Sequence, residues 1–123
     1  MINPRLFLIT IPALFELMVN TKSNWLLIKL IKVLTEMCKT EARLLPKLTA
    51  KYTEMLSSPK AKSVEIELLR AVFSTKLSED INLFGLARET LLNKFLKCRD
   101  PNLTFLGLEV FNMMVENLRQ KLS

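Results

Sequence analysis

Apolar residues recur every three or four positions along most of the 123-residue chain, and this period is typical of amphipathic helices. No stretch alternates apolar and polar residues over the length of a strand. Only two glycines and five prolines are available for turns, whereas good helix formers such as leucine, lysine and glutamate are frequent. The pattern therefore predicts an all-α fold with six main helices.

Capping residues and prolines predict where these helices begin and end. Asn3 and Pro4 should start a short helix that ends near Ile9, and Pro12 should start another that ends near Val19. Ser23 or Asn24 should cap a helix over 25–39, and Thr40 and Glu41 should open a helix that Pro46 kinks or restarts and that ends near 57–60. Ser63 should cap a helix over 64–77, and Ser78 should precede a helix over 79–98 with Glu79 and Asp80 in its first turn. Asp100 with Pro101 should start the last helix, over 102–122.

The six main predicted helices, with the two segments before and after Pro12 counted as one, form three pairs, roughly over 3–39, 41–76 and 78–122. The second helix of each pair begins near 24, 63 or 102, so the pairs recur about every 39 residues. Apolar positions coincide on this period in four sets, which are Leu26, Val64 and Leu103; Ile28, Ile66 and Phe105; Ile31, Leu69 and Leu108; and Leu34, Val72 and Phe111. Helix pairs with a period near 40 residues are typical of HEAT and armadillo repeats, although a plain helical bundle can show similar spacing. We therefore predict that 1–123 is a single fragment of an α-solenoid.

The residue types argue against an enzyme. Histidine is absent, which removes the usual general base and most zinc sites. Glu65 and Glu67 are two residues apart and should point away from each other on a helix, and Glu79 and Asp80 lie where any first helical turn favours acids. We expect no catalytic residue, no metal site and no cofactor.

The cysteines and the apolar N-terminal stretch bear on the cellular compartment. Cys38 and Cys98 belong to no metal or redox motif, so we expect free thiols that pack as small apolar side chains. The run LFLITIPALF over 6–15 is followed by Glu16 without a small-residue cleavage site, and it is too short to span a bilayer. We expect a buried helix there and a soluble chain.

Two motifs carry a resemblance to a known family. In SNWLLIKLIKVL, over 23–34, the residues Asn24, Trp25, Ile28, Lys29 and Lys32 match the pattern Asn-Trp-x-x-Ile-Lys-x-x-Lys, and PALFELMVNTKSNW over 12–25 matches the segment that precedes it. In DPNLTFLGLEVF, over 100–111, the matching residues are Asp100, Asn102, Leu103, Leu106, Gly107 and Leu108, with Phe105 in place of the usual tyrosine. With these motifs the chain resembles the trunk of the delta-adaptins, the delta-type large subunits of adaptor protein complex 3. The first motif is specific for delta-adaptins, and the second is shared by large adaptins.

The resemblance implies a function as well as a fold. The chain would be an internal slice of a longer α-solenoid trunk, with Met1 an expression start or an internal residue. Such a trunk is a non-enzymatic scaffold that assembles with a beta-type large chain, a medium chain and a sigma small chain. An Arf-family GTPase recruits the complex from the cytoplasm to Golgi or endosomal membranes, where it sorts cargo for lysosome-like organelles.

Other classes of protein remain as alternatives. Another helical-repeat transport scaffold, such as a different large adaptin, a coatomer subunit or a karyopherin, would have the same composition. The net charge of +6 and the isoelectric point of about 9.6 also fit a basic helical domain that binds nucleic acid. Because the chain lacks arginine-rich clusters and stacking aromatics, we expect no nucleic-acid partner.

Basic residues are concentrated in the first half of the chain. Residues 1–62 contain ten basic and four acidic residues, whereas 63–123 contain eight of each. Lys29 and Lys32 share the polar face of the helix over 25–39, either as a solvated strip or as a docking strip for an acidic partner. The predicted basic contact surface, for acidic protein or anionic membrane, comprises Lys29, Lys32, Lys39, Lys47 and Lys51.

Three residues are expected to have packing roles. Trp25 either packs against Leu14, Phe15 or Met18 of the preceding helix, which we expect, or lies partly exposed and binds a partner. Gly85 and Gly107 fall inside predicted helices, where glycine costs about 1 kcal/mol relative to alanine. Each glycine should therefore mark a close approach of a neighbouring backbone.

The ends of the chain do not look like the polar caps that a repeat array needs. The last predicted helix carries Phe111, Met114 and Val115, which should face a neighbour. We expect the isolated fragment to self-associate through these uncapped ends.

Overall fold

The computed structural model describes the backbone over 4–58 and 61–122 and the side chains over 12–58 and 61–120. Every regular element in these ranges is helical, which confirms the all-α prediction. The main helices are α1 (Pro4–Asn20), α2 (Asn24–Thr40), α3 (Leu45–Leu56), α4 (Lys62–Phe73), α5 (Ile81–Thr90) and α6 (Pro101–Leu122). Shorter helical turns adjoin them: 3-10 turns over Ala42–Leu44 and Lys76–Glu79, and a π-helical turn over Leu91–Leu96 that continues α5.

The helices pack in two layers. α2, α4 and α6 lie side by side in chain order and form one layer, while α3 and α5 pack together in the other. α1 packs against α2, and its Phe15 lies across a shallow groove from Lys47 and Lys51 of α3. Consecutive helices thus alternate between the layers, as in an α-solenoid.

The hydrophobic core lies between the two layers. Ile31 of α2, Tyr52 of α3 and Phe73 of α4 are among its largest fully buried side chains. The Tyr52 hydroxyl donates a hydrogen bond to the Ile31 carbonyl oxygen at 3.2 Å, and it lies 3.2 Å from Thr35 Oγ1. Since a buried hydroxyl needs partners, these bonds fix α3 against α2.

The predicted starts of α2 and α6 are confirmed. Ser23 is the N-terminal cap of α2, and its Oγ accepts a hydrogen bond from the Leu26 amide at 3.2 Å. Asp100 Oδ1 accepts from the Asn102 amide at 2.9 Å, directly before Pro101 opens α6. These local signals work because both partners lie within one helical turn.

The predicted break at Pro12 is wrong. α1 continues through Pro12 as one helix of 17 residues. An interior proline removes one backbone hydrogen bond, but the turns on either side of it can still form. The predicted cap at Asn3 and the side chains of 6–11 lie outside the described part of the chain. In the rest of the run that was expected to be buried, Leu14 and Phe15 are half-buried, but Pro12 and Ala13 are exposed, so that expectation is wrong for these two residues. No described helix combines the length and the apolar content that are needed to cross a bilayer.

The predicted cap at Ser63 is also wrong. α4 begins one residue before it, after Ala61, which makes no side-chain capping bond. α4 ends at Phe73 rather than near 77, because the Thr75 hydroxyl donates to the Ala71 carbonyl oxygen at 2.7 Å and accepts from the next 3-10 turn. A short polar side chain that bonds its own backbone competes with helix continuation.

The start of α5 differs from the prediction in the same way. Ser78 and Glu79 belong to the 3-10 turn, so neither of them caps or opens the helix. Asp80 is the N-terminal cap, and its Oδ1 accepts from the Leu83 amide at 2.8 Å. Aspartate is among the residues preferred as N-terminal caps, so Asp80 sets the boundary of α5 instead of lying inside its first turn.

Candidate interaction surface

Trp25 lies on the surface at the first turn of α2, where 68% of it is exposed. The expectation that it packs against α1 is therefore wrong. The buried face of α2 includes Leu34, and nine residues make about two and a half helical turns, so Trp25 and Leu34 lie on opposite sides of the helix. Leu14 and Phe15 of α1 pack against the core without it.

Lys29 is the nearest basic neighbour along the same face. Its Nζ lies 5.6 Å from the centre of the Trp25 ring. Lys29 is exposed, and a cation over an exposed ring gains about 0.5–1 kcal/mol. This contact holds the indole and the ammonium group side by side at the surface.

A chain of ion pairs crosses the layer of α2, α4 and α6. Lys32 Nζ lies 3.9 Å from Glu67 Oε1, and Arg70 lies between two carboxylates, 3.8 Å from Glu67 and 3.4 Å from Glu109. We call Lys32, Glu67, Arg70 and Glu109 the ion-pair ladder. Exposed pairs are worth at most about 1 kcal/mol each, so the ladder aligns neighbouring helices more than it stabilises the fold.

The lysines of the predicted basic contact surface are divided between the two layers. Lys29, Lys32 and Lys39 belong to α2, whereas Lys47 and Lys51 belong to α3. Two of them pair locally, since Lys39 lies 2.9 Å from a carboxylate oxygen of Glu36 and Lys51 lies 3.7 Å from one of Glu54. The excess charge of the first half is therefore spread over both layers, and the contact role of these lysines stays a prediction.

The residues of the second motif serve the start and the packing of α6. Asp100 caps the helix, Asn102 and Leu108 are exposed, and Leu103 and Leu106 pack partly buried against the core. These residues start and pack α6, and they lie on a different helix from the Asn24-Trp25 motif of α2, so the two motifs do not form one site.

Gly107 has the predicted packing role, and Gly85 does not. A Cβ atom at Gly107 would lie 2.9 Å from Phe95 Cβ and 3.0 Å from Leu96 Cδ2, so only glycine lets α6 approach the π-helical turn this closely. A Cβ atom at Gly85 would meet no atom within 4 Å. The prediction for Gly85 is therefore wrong, because nothing approaches that side of α5.

A buried ion pair that the sequence did not indicate joins α4 to the π-helical turn. Glu65 is 1% exposed, and its Oε2 accepts a hydrogen bond from Lys94 Nζ at 2.6 Å. Its other oxygen, Oε1, lies 3.6 Å from Lys62 Nζ and accepts no hydrogen bond from the described residues. Glu67 faces the ladder instead, so the two glutamates point apart as predicted. One signal was available, since Glu65 stands between the apolar residues Val64 and Ile66, but nothing in the sequence marks its partner.

A cleft of about 390 Å³ lies at the opposite end of α2 from Trp25, between that end, the 3-10 turn after α4 and the end of α6. Its lining mixes Lys39 and Lys76 with Glu79 and the buried Cys38. Burial raises the pKa of the Cys38 thiol, which donates to the Thr35 carbonyl oxygen at 3.0 Å, so it is a protonated packing group. Within the described side chains, no three histidine, cysteine, aspartate or glutamate residues are grouped as a metal would need.

Both cysteines are free, as predicted. Cys38 is buried and Cys98 is half-buried, and neither forms a disulfide. Cys98 Sγ lies 3.0 Å from the Phe95 carbonyl oxygen, at the end of the π-helical turn. Each thiol therefore fills space at a helix end.

Comparison with known proteins gives the family of the chain. It is 32% identical over 110 residues to the AP-3 complex subunit delta of Saccharomyces cerevisiae, which covers 89% of this chain and 12% of that protein. It is 31% identical over 112 residues to the same subunit of Arabidopsis thaliana, which covers 91% of this chain and 13% of the relative. The Dictyostelium discoideum subunit is 31% identical over 115 residues, or 93% of this chain and 10% of the relative.

The chain belongs to the delta-adaptin family. No protein-family model matches it, and no solved structure does. This delta-adaptin segment spans only 12% and 13% of the length of its yeast and Arabidopsis relatives. The similarity runs along most of the segment, so it includes the middle region as well as the two motifs.

Proposed function

We propose that this chain is a trunk segment of an AP-3 delta subunit, acting as a non-enzymatic scaffold in vesicle-mediated protein transport. The observation that carries the proposal is the similarity to AP-3 delta subunits of a yeast, a plant and a slime mould over 89%, 91% and 93% of the chain. The two-layer stack supports it, because stacked helix pairs present long surfaces on which other subunits can assemble.

We extend this proposal to the helix pairs of the chain, the partners of the complex and the membranes on which it acts. The chain consists of three helix pairs, over 3–39, 41–76 and 78–122, within a longer solenoid. The partners are a beta-type large chain, a medium chain and a sigma small chain, together with an Arf-family GTPase at an anionic membrane surface. The complex acts on the cytoplasmic side of Golgi or endosomal membranes and sorts cargo to lysosome-like organelles.

The exposed face of α6 supports a solenoid that continues. Five large apolar side chains on this face are exposed, and we call them the α6 apolar stripe: Phe105, Leu108, Phe111, Val115 and Leu118. The equivalent residues one repeat earlier, Ile66, Leu69 and Val72, are buried. α4, which carries these buried residues, packs against both helices of the third pair, so the stripe is where a further pair would pack.

A chimera tests the proposed function. In yeast, the matching segment of the AP-3 delta subunit is replaced by this chain, and complex assembly and delivery of cargo to the vacuole are measured. We expect both to be restored. Restored assembly without delivery would keep the scaffold and overturn the sorting part of the proposal.

A second chimera with the Arabidopsis segment is the control for exchange itself. If the Arabidopsis segment supports assembly and this chain does not, the proposal is wrong. The same chain carrying Gly107→Leu should fail in both assays, because its third helix pair cannot close.

A further inference from the structure

The exposure of Trp25 is not caused by a missing neighbour. On the period of the repeat, the equivalents of Trp25 are Ser63 in α4 and Asn102 in α6. Both are exposed, although α4 has a helix on each side of it in the layer. This position therefore points out of the layer in every helix pair, and a preceding or following pair would leave Trp25 uncovered.

Val33, on the same helix, shows the opposite behaviour. It is 48% exposed, but its equivalents Ala71 and Val110 are 3% and 0% exposed. Its exposure reflects the open edge of α2 in this chain. Val33 is thus exposed at a position that is buried in the other repeats, whereas Trp25 is exposed at a position that is exposed in all three. Only Trp25 therefore belongs to the face that points out of the layer.

Lys29 gives the site its charge. The other lysines of α2 along this face are paired: Lys32 lies 3.9 Å from a carboxylate oxygen of Glu67, and Lys39 lies 2.9 Å from one of Glu36. No described carboxylate pairs with Lys29, whose ammonium group lies against the Trp25 ring. One side of its ammonium group therefore remains open to an external carboxylate.

We propose that Trp25 and Lys29 form a docking site for an acidic segment of a partner protein. The segment places an apolar side chain against the indole and a carboxylate on Lys29. Exposed tryptophans are costly to leave in water and are enriched among the residues that dominate protein interfaces. A tryptophan next to an unpaired cation selects a ligand that is both apolar and acidic.

The neighbouring carboxylates favour a protein segment over a lipid surface. Glu36 follows Lys29 along the exposed face of α2, and Glu67 and Glu109 lie in the same layer. A broad anionic membrane would meet these acids together with the lysines. A narrow peptide can reach Lys29 without approaching them.

The test uses the fluorescence of Trp25, which is the only tryptophan of the chain. The probes are a short peptide in which glutamates flank a central phenylalanine, and a matched peptide with lysines in their place. We expect the glutamate peptide to shift the emission to the blue and to bind about tenfold more tightly than the lysine peptide. Lys29→Glu should reverse this preference, and Val33→Ala should leave it unchanged.

Two further measurements test whether binding needs Trp25 and whether it is specific for a peptide. Trp25→Ala, followed with a dye-labelled glutamate peptide and checked for an unchanged thermal midpoint, should lose binding. Vesicles of phosphatidylserine and phosphatidylcholine should leave the emission unchanged. The proposal is overturned if the glutamate peptide does not bind, if Lys29→Glu keeps the same preference, or if the vesicles shift the emission and the peptide does not.

Discussion

Glu65 and Lys94 form a nearly enclosed ion pair between α4 and the π-helical turn, with 2.6 Å between Glu65 Oε2 and Lys94 Nζ. The Glu65 side chain is 1% exposed and the Lys94 side chain is 35% exposed. The turn that carries Lys94 is closed by a hydrogen bond from the Lys97 amide to the Leu92 carbonyl oxygen at 3.1 Å, five residues back. A π turn of this kind re-aims the side chains that it carries, and here one of them meets a buried carboxylate.

Removing Lys94 should destabilise the fold strongly. Lys94→Met leaves the Glu65 carboxylate buried without its hydrogen-bonded partner, and we expect a loss of about 3 kcal/mol in the free energy of unfolding, the low end for a broken buried pair because Lys94 is partly exposed. Urea unfolding at neutral pH measures the loss.

Lys32→Met is the matched control for that variant. It removes a lysine whose side chain is 53% exposed and lies 3.9 Å from Glu67, so we expect a change below about 1 kcal/mol. The double variant Glu65→Gln and Lys94→Met should recover part of the stability that Lys94→Met loses. Equal losses for the two lysine variants would contradict the buried pair.

The two helical glycines should respond to alanine with opposite signs. Gly107→Ala forces a Cβ atom against Phe95 Cβ, and we expect a loss of about 1–3 kcal/mol. Gly85→Ala adds a methyl group where nothing lies within 4 Å, and we expect a gain of up to about 1 kcal/mol from helix propensity. Thermal unfolding of both variants measures these changes, and a gain or no change for Gly107→Ala would refute the packing at Gly107.

Tyr52 should make the stability of the fold depend on alkaline pH. Burial raises the pKa of Tyr52 above its ordinary value of about 10, although the bond with Thr35 opposes this. The unfolded chain therefore loses the phenolic proton first, and stability falls as the pH rises above about 10. Below that pH both states keep the proton, and this effect vanishes.

The matched variant for this prediction is Tyr52→Phe. It should cost about 1 kcal/mol at neutral pH through the lost hydrogen bonds, and its stability should decline less steeply in alkali. Since Tyr52 is the only tyrosine, tyrosinate absorbance reports its ionisation directly. Ionisation of the folded chain at the ordinary tyrosine pKa would argue against its burial.

Trp25 should behave as a solvent-exposed fluorophore. We expect red-shifted emission in the folded chain and ready quenching by acrylamide, because 68% of the residue is exposed. The emission should change little on unfolding in urea. Blue-shifted emission that resists quenching would place Trp25 in the core and would remove the proposed docking site with it.

The α6 apolar stripe should make the isolated chain self-associate as its concentration rises. Leu108→Glu puts a charge in the stripe, and we expect it to shift the light-scattering mass towards the monomer. Ile81→Glu is the matched control, because Ile81 is 86% exposed at the start of α5 and lies outside the stripe. A monomer at all concentrations, or equal effects of both variants, would count against this contact.

The parts of the fold that the sequence predicted correctly depend on local signals. Ser23 and Asp100 lie within three residues of the amides that they cap, so the starts of α2 and α6 could be predicted. Gly107 was marked by its place inside a strongly helical pattern, although the same signal was wrong at Gly85. Ser63 looked like Ser23, but α4 begins after Ala61 without a side-chain cap, since a serine near the start of a helix does not by itself fix the first residue.

The parts that could not be predicted depend on packing between distant residues. Lys94 lies 29 residues from Glu65, and its side chain reaches that carboxylate only because of the π turn. Trp25 was expected in the core on its size; its phase opposite Leu34 follows from the sequence, but the exposure of that side of α2 depends on how the helices pack. The candidate site thus rests on a motif that the sequence showed and an exposure that only the structure revealed.

The ion-pair ladder also gives the stack a direction. At both joints the cation belongs to the earlier helix and the carboxylate to the later one, as in Lys32 with Glu67 and Arg70 with Glu109. If the second helix pair were moved ahead of the first, Arg70 would lie beside Lys32, which has the position of Glu109 on the repeat, and this joint would bring two cations together. The order of the helix pairs is therefore favoured by the charges on the surface of the layer as well as by the apolar contacts in the core.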